Sequence, residues 1–399
     1  MLNALLILMP IVTLGSLLIY RHVLLASHES RWHSRPGAYA WAASIATLAP
    51  TIIFFTCVTG IHLFFLYDVD SYIFFVITAF TLAFGLFKAK QTFQPTYRAR
   101  EYVEKSIRIS LIVAASITIF TTIGIVMAII FEAIQFFEIV SLWEFLTGTH
   151  WAPDDAFPGN TKGMFGSIPI FAGTFMITAI AMLVAVPVGL LSAVYMSEYA
   201  SEHVRNAAKP GLEILAGVPT VVYGFFAAIT VSPLVVSFAE SVGLQADYTN
   251  ALTPGIVMGI MIIPFISSLS DDVIRAVPRS MRDSSLALGT TMAETVTQIV
   301  LPAALPGIIA AILLGVSRAL GETMIVVMAA GLRPNLTWNP LEGMTTVTVR
   351  IVDALTGDQA FDSPETLSAF GLGLVLLVIT LMLNVFSIYI TRRFRKNYE

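Results

Sequence analysis

The chain has one cysteine, Cys57, among 399 residues, and only 12% of its residues are charged. A single thiol excludes a disulfide framework within the chain and any cysteine-based metal site. Its apolar neighbours mark Cys57 as a buried or lipid-facing group. A soluble domain carries about 25% charged residues. With so little charge, 56% hydrophobic residues and a mean hydropathy of +0.82, this chain has too much apolar surface for a soluble fold of its size. No GxxxxGK[ST] phosphate loop occurs, so the chain is not expected to hydrolyse a nucleotide itself. The opening run LNALLILMPIVTLGSLLIY lacks a basic leader and a small-residue cleavage site, and is expected to be a retained helix. His22, His28 and His33 match no metal-ligand spacing, and no metal is expected there.

What the chain does have is long apolar runs. A spanning helix needs about 20 mostly apolar residues. On that measure helices are predicted near 2–20, 41–66, 72–88, 108–131, 168–196, 211–233, 253–270, 303–331 and 367–391, about nine spans. Gly217, Pro219 and Gly224 interrupt the 211–233 run, a break tolerated where neighbouring helices or a cavity satisfy the backbone. The predicted fold class is all-α, a polytopic membrane helix bundle. Residues 1–107 read as a separate accessory membrane region of about three helices, and 108–399 as a six-helix core.

Basic residues sort the connections. Lys88, Lys90, Arg98, Arg100, Lys105 and Arg108 crowd 88–108, Arg275, Arg279 and Arg282 lie in 271–282, and the tail holds Arg392, Arg393, Arg395 and Lys396. These segments are predicted to face the cytoplasm, with the C-terminus inside and the N-terminus outside. The 132–167 loop has only Lys162, and its SLWEFLTGTHWAPDD stretch is rich in aromatic residues. Trp143, Phe145 and Trp151 are expected to be interfacial anchors or docking points for an external partner.

Residues 317–323, SRALGET, put Arg318 and Glu322 inside an apolar run. A charge near the bilayer centre costs about 2.5–3.5 kcal/mol even on lenient scales. Four residues apart on one helix, the two side chains would share a face and neutralise each other. They are either an ion pair that fixes packing or part of an anion pathway. An arginine suits the second role because its planar, permanently charged fork matches phosphate. Thr220 and Tyr223, just beyond the Gly217–Pro219 break, are grouped with them as candidate pathway residues. The Tyr223 hydroxyl either meets the anion or packs. Asp271 and Asp272 are expected to be solvated acids that cap the next helix.

The most specific stretch is RDSSLALGTTMAETVTQIVLPAALPG, residues 282–307. It reads as helix–turn–helix: small Ser284, Ser285 and Ala287 allow close contact, Gly289 turns the chain, and Leu301-Pro302 starts the next helix. It is a docking knob or an amphipathic connector. The spacing resembles the EAA loop of ABC-importer permeases: acid-small-small, three residues, Gly, nine residues, Ile, one residue, Leu-Pro. Asp283, Ser284 and Ser285 stand at the E-A-A positions, with Gly289, Ile299, Leu301 and Pro302 in register.

AVPVGLLSAVYMSEYA (185–200), SLWEFLTGTHW (141–151), LEILAGVPTVVYGFFA (212–227) and ALPGIIAAILLGVSRALGETMIVVMAAG (304–331) are similar to phosphate-specific permeases of the PstC type. The resemblance covers about 108–399 and leaves 1–107 without a counterpart. Sulfate and molybdate permeases share SRALGET-like stretches, but commonly have Gly-Glu-Phe-Gly where this chain has Gly-Glu-Thr-Met.

The resemblance implies a type I ABC-importer permease fold in a bacterial inner membrane, surrounded by lipid. Its implied partners are a second permease of the PstA type, two copies of a cytoplasmic PstB-type ATPase and an extracytoplasmic PstS-type phosphate-binding protein, with no nucleic acid. It also implies that 271–302 is the cytoplasmic coupling loop, with the residues from Asp283 to Pro302 named above engaging the ATPase. Arg318 and Glu322 would lie on the pathway, and ATP would be hydrolysed by the partner while this chain binds no cofactor. The alternatives are a permease for another oxyanion and a gradient-driven secondary transporter. The latter calls for inverted repeats and further midplane carboxylates, which are not evident.

Overall fold

The computed structural model describes residues 13, 16–26, 33–49, 80, 83–85, 87, 88, 91, 94, 96–153, 161–356 and 363–395. Cys57, His28, Lys90, Lys396 and most of the predicted helices 2–20, 41–66 and 72–88 lie outside the described residues. The chain divides into two compact units, Met1–Gly124 and Ile125–Glu399. In the first, helix α1 (Ser16–Ala26) and helix α2 (36–49) bury Val23, Tyr39 and Ala42 together with Ala99, which opens helix α3 (Ala99–Ile139). The Tyr39 hydroxyl donates to the Tyr97 carbonyl at 2.7 Å.

The second unit continues with α4 (Leu142–Thr147), α5 (Ile168–Tyr199), α6 (Glu202–Gly217), α7 (Thr220–Ser241) and α8 (Leu252–Ala276). The short α9 (Arg279–Ala287) leads to α10 (Met292–Leu320), α11 (Met324–Ala329), α12 (Val347–Thr356) and α13 (Pro364–Arg395). Six described helices, α3, α5, α7, α8, α10 and α13, are long and apolar enough to cross a membrane. The protein is an all-α, multi-pass membrane helix bundle.

The centre of the second unit is the α5–α8 contact. Gly255 and Gly259 are one turn apart on α8. A Cβ at Gly255 would lie 2.6 Å from Ile180 Cγ2, and one at Gly259 would lie 2.8 Å from the Ala181 carbonyl oxygen. Between apolar helices in lipid, such close backbone approach supplies the packing that the hydrophobic effect cannot. Around it Ile177, Met258, Ile262 and Ile266 are buried against Ala319 and Ile325 of the later helices.

The structure corrects three expectations. The 211–233 run is two helices: α6 stops at Gly217, Val218 and Pro219 are extended, and α7 restarts at Thr220. The proline holds its predecessor out of the helical region, so the membrane span is displaced to Thr220–Ser241. The helix predicted to start at Pro302 starts ten residues earlier, where Thr291 and Glu294 form a reciprocal capping box. A π-helical turn, Val296–Val300, lies just before Pro302 and widens the helix there. The same helix ends at Leu320, short of the predicted 331.

The third correction concerns the aromatic loop. Phe145 and Trp151 are not surface anchors but part of a buried cluster, with Phe136 5.3 Å from Phe145 and Phe165 5.8 Å from Trp151, edge to face. Only Trp143 of the three is exposed, at 76%.

Candidate functional site

SRALGET does not form one continuous helix. Arg318 occupies the last turn of α10, Gly321 terminates it, and Glu322 lies in the link to α11. The predicted i,i+4 ion pair is therefore not formed among the described residues. Glu322 Oε1 instead accepts from the backbone N–H groups of Met324 and Ile325 at 3.2 and 3.4 Å, which caps the start of α11. Its backbone carbonyl accepts from the Thr348 hydroxyl at 2.7 Å, tying the link to α12.

Arg318 is left to face open space. Its guanidinium carbon sits 5.7 Å from the centroid of the Phe265 ring on α8. A ring face attracts a cation without neutralising it, so the charge remains available. The guanidinium borders a cavity of about 250 Å³ that also reaches Met261, Ser268, Lys209 and Asp271.

Asp271 differs most from expectation. It is inside α8 and only 1% exposed, not a solvated cap, while its neighbour Asp272 is exposed. Its Oδ1 accepts from Arg275 Nε at 2.8 Å and has Arg205 Nη2 at 4.0 Å, and its Oδ2 faces Lys209 Nζ at 3.5 Å. The three cations come from two elements, α6 and the last turns of α8. The helix break at Val218-Pro219 turns α6 into a separate amphipathic segment, which lies against this end of α8.

The break itself is held by Tyr223. Its hydroxyl donates to the Leu215 carbonyl of α6 at 2.8 Å, and the side chain is 8% exposed. The packing alternative for Tyr223 thus describes its position, and its proton is committed to the backbone. Thr220, half-buried, is the first residue of α7.

In the 283–302 stretch, Asp283 and Ser284 are exposed on α9, and Gly289 follows with φ +88°, a conformation that favours glycine. Ser285 is buried; its hydroxyl lies 2.8 Å from that of Thr290 and 3.0 Å from that of Thr295, which staples α9 to the start of α10. Ile299 and Leu301 are half-buried, Pro302 is exposed, and Leu288 at the tip is 86% exposed. Ile299, Ser284 and Leu288 border one shallow groove. The loop is a rigid knob with an apolar tip.

Two residues outside the predicted site set, Arg282 and Glu198, hold that knob to the bundle. Arg282 donates to Glu198 Oε1 at 2.9 Å and to the Ile274 carbonyl at 2.7 Å, and its Nη1 also reaches the Val277 carbonyl. Glu198 sits in the π-helical turn Tyr195–Tyr199 that closes α5. The signal available was an arginine directly before the acid-small-small triplet; its partner 84 residues away was not legible.

A family model described as the inner membrane component of binding-protein-dependent transport systems matches residues 185–396. YqgH of Bacillus subtilis, described as a probable ABC transporter permease protein, is 32% identical over 285 residues, 71% of this chain and 87% of that one. The phosphate transport system permease protein PstC 1 of Mycobacterium tuberculosis is 34% identical over 282 residues, 62% of this chain and 81% of its own length. Among solved structures, a bacterial alginate ABC transporter in complex with its alginate pentasaccharide-bound periplasmic protein aligns with TM-score 0.51 at 16% identity. It covers 74% of this chain and 98% of that one, a likeness of fold alone. On these matches and the six apolar helices, the chain belongs to the family of inner membrane components of binding-protein-dependent transport systems.

Proposed function

We propose that the chain is a transmembrane permease subunit of an ATP-driven importer of inorganic phosphate, with Arg318 as the anion-contacting residue of its pathway. One observation carries the reading: in a chain related to phosphate transport permeases, an arginine ends a membrane helix facing a cavity, with its charge uncompensated by Glu322. An anion crossing a low-dielectric barrier needs a fixed positive partner, and a guanidinium offers phosphate two parallel hydrogen bonds. Intramembrane charges of this kind border transport pathways. Glu322 then acts at one remove. By capping α11 and fixing the link, it sets where Arg318 ends α10.

The fold of the complex follows from the same reading. A second permease subunit of similar fold completes the pathway, and two copies of an ATPase receive the α9 knob, with Asp283, Ser284 and Leu288 at the contact. A phosphate-binding protein delivers the anion at the opposite end. ATP is spent by the ATPase subunits, and this chain supplies the moving wall rather than chemistry. Thr220 and Tyr223 line the adjacent helix break as supports.

The test is ATP-dependent uptake of labelled phosphate into liposomes that hold the full complex, with sulfate and molybdate as competitors. Uptake that unlabelled phosphate suppresses and tenfold sulfate or molybdate does not supports the reading. Suppression by sulfate or molybdate at equal concentration assigns the complex to another oxyanion.

A further inference from the structure

We propose that Arg205, Lys209 and Arg275 form a second anion site, at the α9 end of the cavity that begins at Arg318, where a tetrahedral oxyanion is received from Arg318 and released. Asp271 is the resident competitor of that site. The inference rests on the reading of the chain as a phosphate permease and adds a step to it.

Three observations carry it. The first is continuity. Arg318, Lys209 and Asp271 border one cavity of about 250 Å³, and Lys209 also borders a neighbouring open cavity of about 520 Å³ with Arg205 and Arg275. An anion that leaves Arg318 in this direction meets these cations next.

The second observation is an excess of donors. A carboxylate accepts about four hydrogen bonds, whereas each arginine offers five N–H groups and a lysine three. Asp271 satisfies Arg275 closely at 2.8 Å, but Lys209 and Arg205 stand off at 3.5 and 4.0 Å. Asp271 alone pairs with all three cations, which leaves Lys209 and Arg205 loosely held around one buried acid.

The third is an unmet donor. Arg205 Nη2 is buried and has no hydrogen-bond acceptor among the described residues. A buried donor without an acceptor is costly, and a turn of this side chain, a quarter of which is exposed, toward an anion oxygen in the cavity would relieve that cost. The remaining acids that border the two cavities, Glu202 and Glu213, are exposed and form no ion pair with these cations among the described residues. They moderate the field without occupying the site. Conduction needs sites strong enough to enter and weak enough to leave. Asp271 supplies the weakness, because Lys209 and Arg205 return to it when the anion departs.

The experiment uses the full complex in two assays: ATP-driven uptake of labelled phosphate into liposomes, and equilibrium binding of labelled phosphate to the nucleotide-free complex without its binding protein. Lys209→Gln and Arg205→Gln are each expected to weaken binding about tenfold, the loss of one charge-assisted hydrogen bond. Both should lower turnover and leave the external concentration for half-maximal uptake unchanged. Lys209→Arg should restore both. Asp271→Asn should shift binding in the opposite direction, to tighter binding with slower release, which a purely structural ion network would not do.

Unchanged binding and turnover in assembled Lys209→Gln and Arg205→Gln complexes would overturn the second site, as would weaker binding in Asp271→Asn. If the unmodified complex imports no phosphate, the phosphate reading itself fails. If it imports phosphate and these variants behave as the original, only the second site fails.

Discussion

Arg282 and Glu198 are joined at 2.9 Å in a pocket where their side chains are 15% and 4% exposed, and the bond links the α9 knob to the closing turn of α5. The same guanidinium also takes the Ile274 carbonyl at the C-terminal end of α8. One side chain therefore fixes the knob to two membrane helices at once, so a displacement of α9 is passed to both of them.

Removing one partner of a buried ion pair leaves an uncompensated charge and costs about 3–5 kcal/mol. Arg282→Gln should lower the thermal midpoint of the complex and raise the number of ATP molecules hydrolysed per anion imported. The double variant Glu198→Gln with Arg282→Gln removes both charges. It should regain part of the stability, the bonds to the Ile274 and Val277 carbonyls remaining lost, and still waste ATP. A double variant with the original ratio of hydrolysis to uptake would reduce the latch to a packing element.

The α5–α8 contact makes a steric prediction. A Cβ at Gly259 would meet the Ala181 carbonyl oxygen at 2.8 Å, backbone that cannot turn aside. Gly259→Val should separate the helices and cost at least the 1–3 kcal/mol typical of overpacking, seen as loss of assembled complex on gel filtration. Gly211→Ala is the control, since nothing lies within 4 Å of a Cβ there and the residue is exposed. Equal yields from the two variants would contradict the close approach.

Much of this was readable in advance, for identifiable reasons. The turn at Gly289 was legible because the spacing of Asp283, Gly289 and Pro302 resembles the EAA loop of ABC-importer permeases, and Gly289 carries the positive φ that glycine adopts readily. Four of the six core spans lay close to their apolar runs, while those read at 211–233 and 303–331 were displaced along the chain. The Arg318–Glu322 pair was misread because apolar content on both sides suggested one helix, whereas Gly321 ends it and turns Glu322 into a cap. Asp271 was misread for a different reason. Its burial depends on α6 folding back against α8, and its partners Arg205 and Lys209 are more than sixty residues earlier in the chain.

One carboxylate outside the spans gives a pH prediction. Asn339, Thr337 and Asn335 donate to Glu342 and hold its carboxyl below the ordinary value of 4.5. A folded pKa lower than the unfolded one stabilises the loop above the unfolded value, and the stabilisation is lost as pH falls through the folded value. Hydrogen exchange in residues 335–343, corrected for intrinsic rates, should therefore stay slow as pH drops to 4.5 and quicken only below it. Quickening centred above 4.5 would contradict the assignment. Glu342→Gln should abolish the transition.

The central claim is that Arg318 meets the anion, and uptake of labelled phosphate by the full complex tests it most directly when measured beside ATP hydrolysis in the same liposomes. Arg318→Gln, Arg318→Lys and Glu322→Gln are to be compared in complexes that still assemble. The expected result is uptake reduced at least a hundredfold in Arg318→Gln, the equivalent of about 3 kcal/mol for a charged hydrogen bond. Arg318→Lys should be partly active, because a point charge replaces the fork, and Glu322→Gln should be impaired less than Arg318→Gln because its role is to position the link. Normal uptake in all three variants would contradict the pathway.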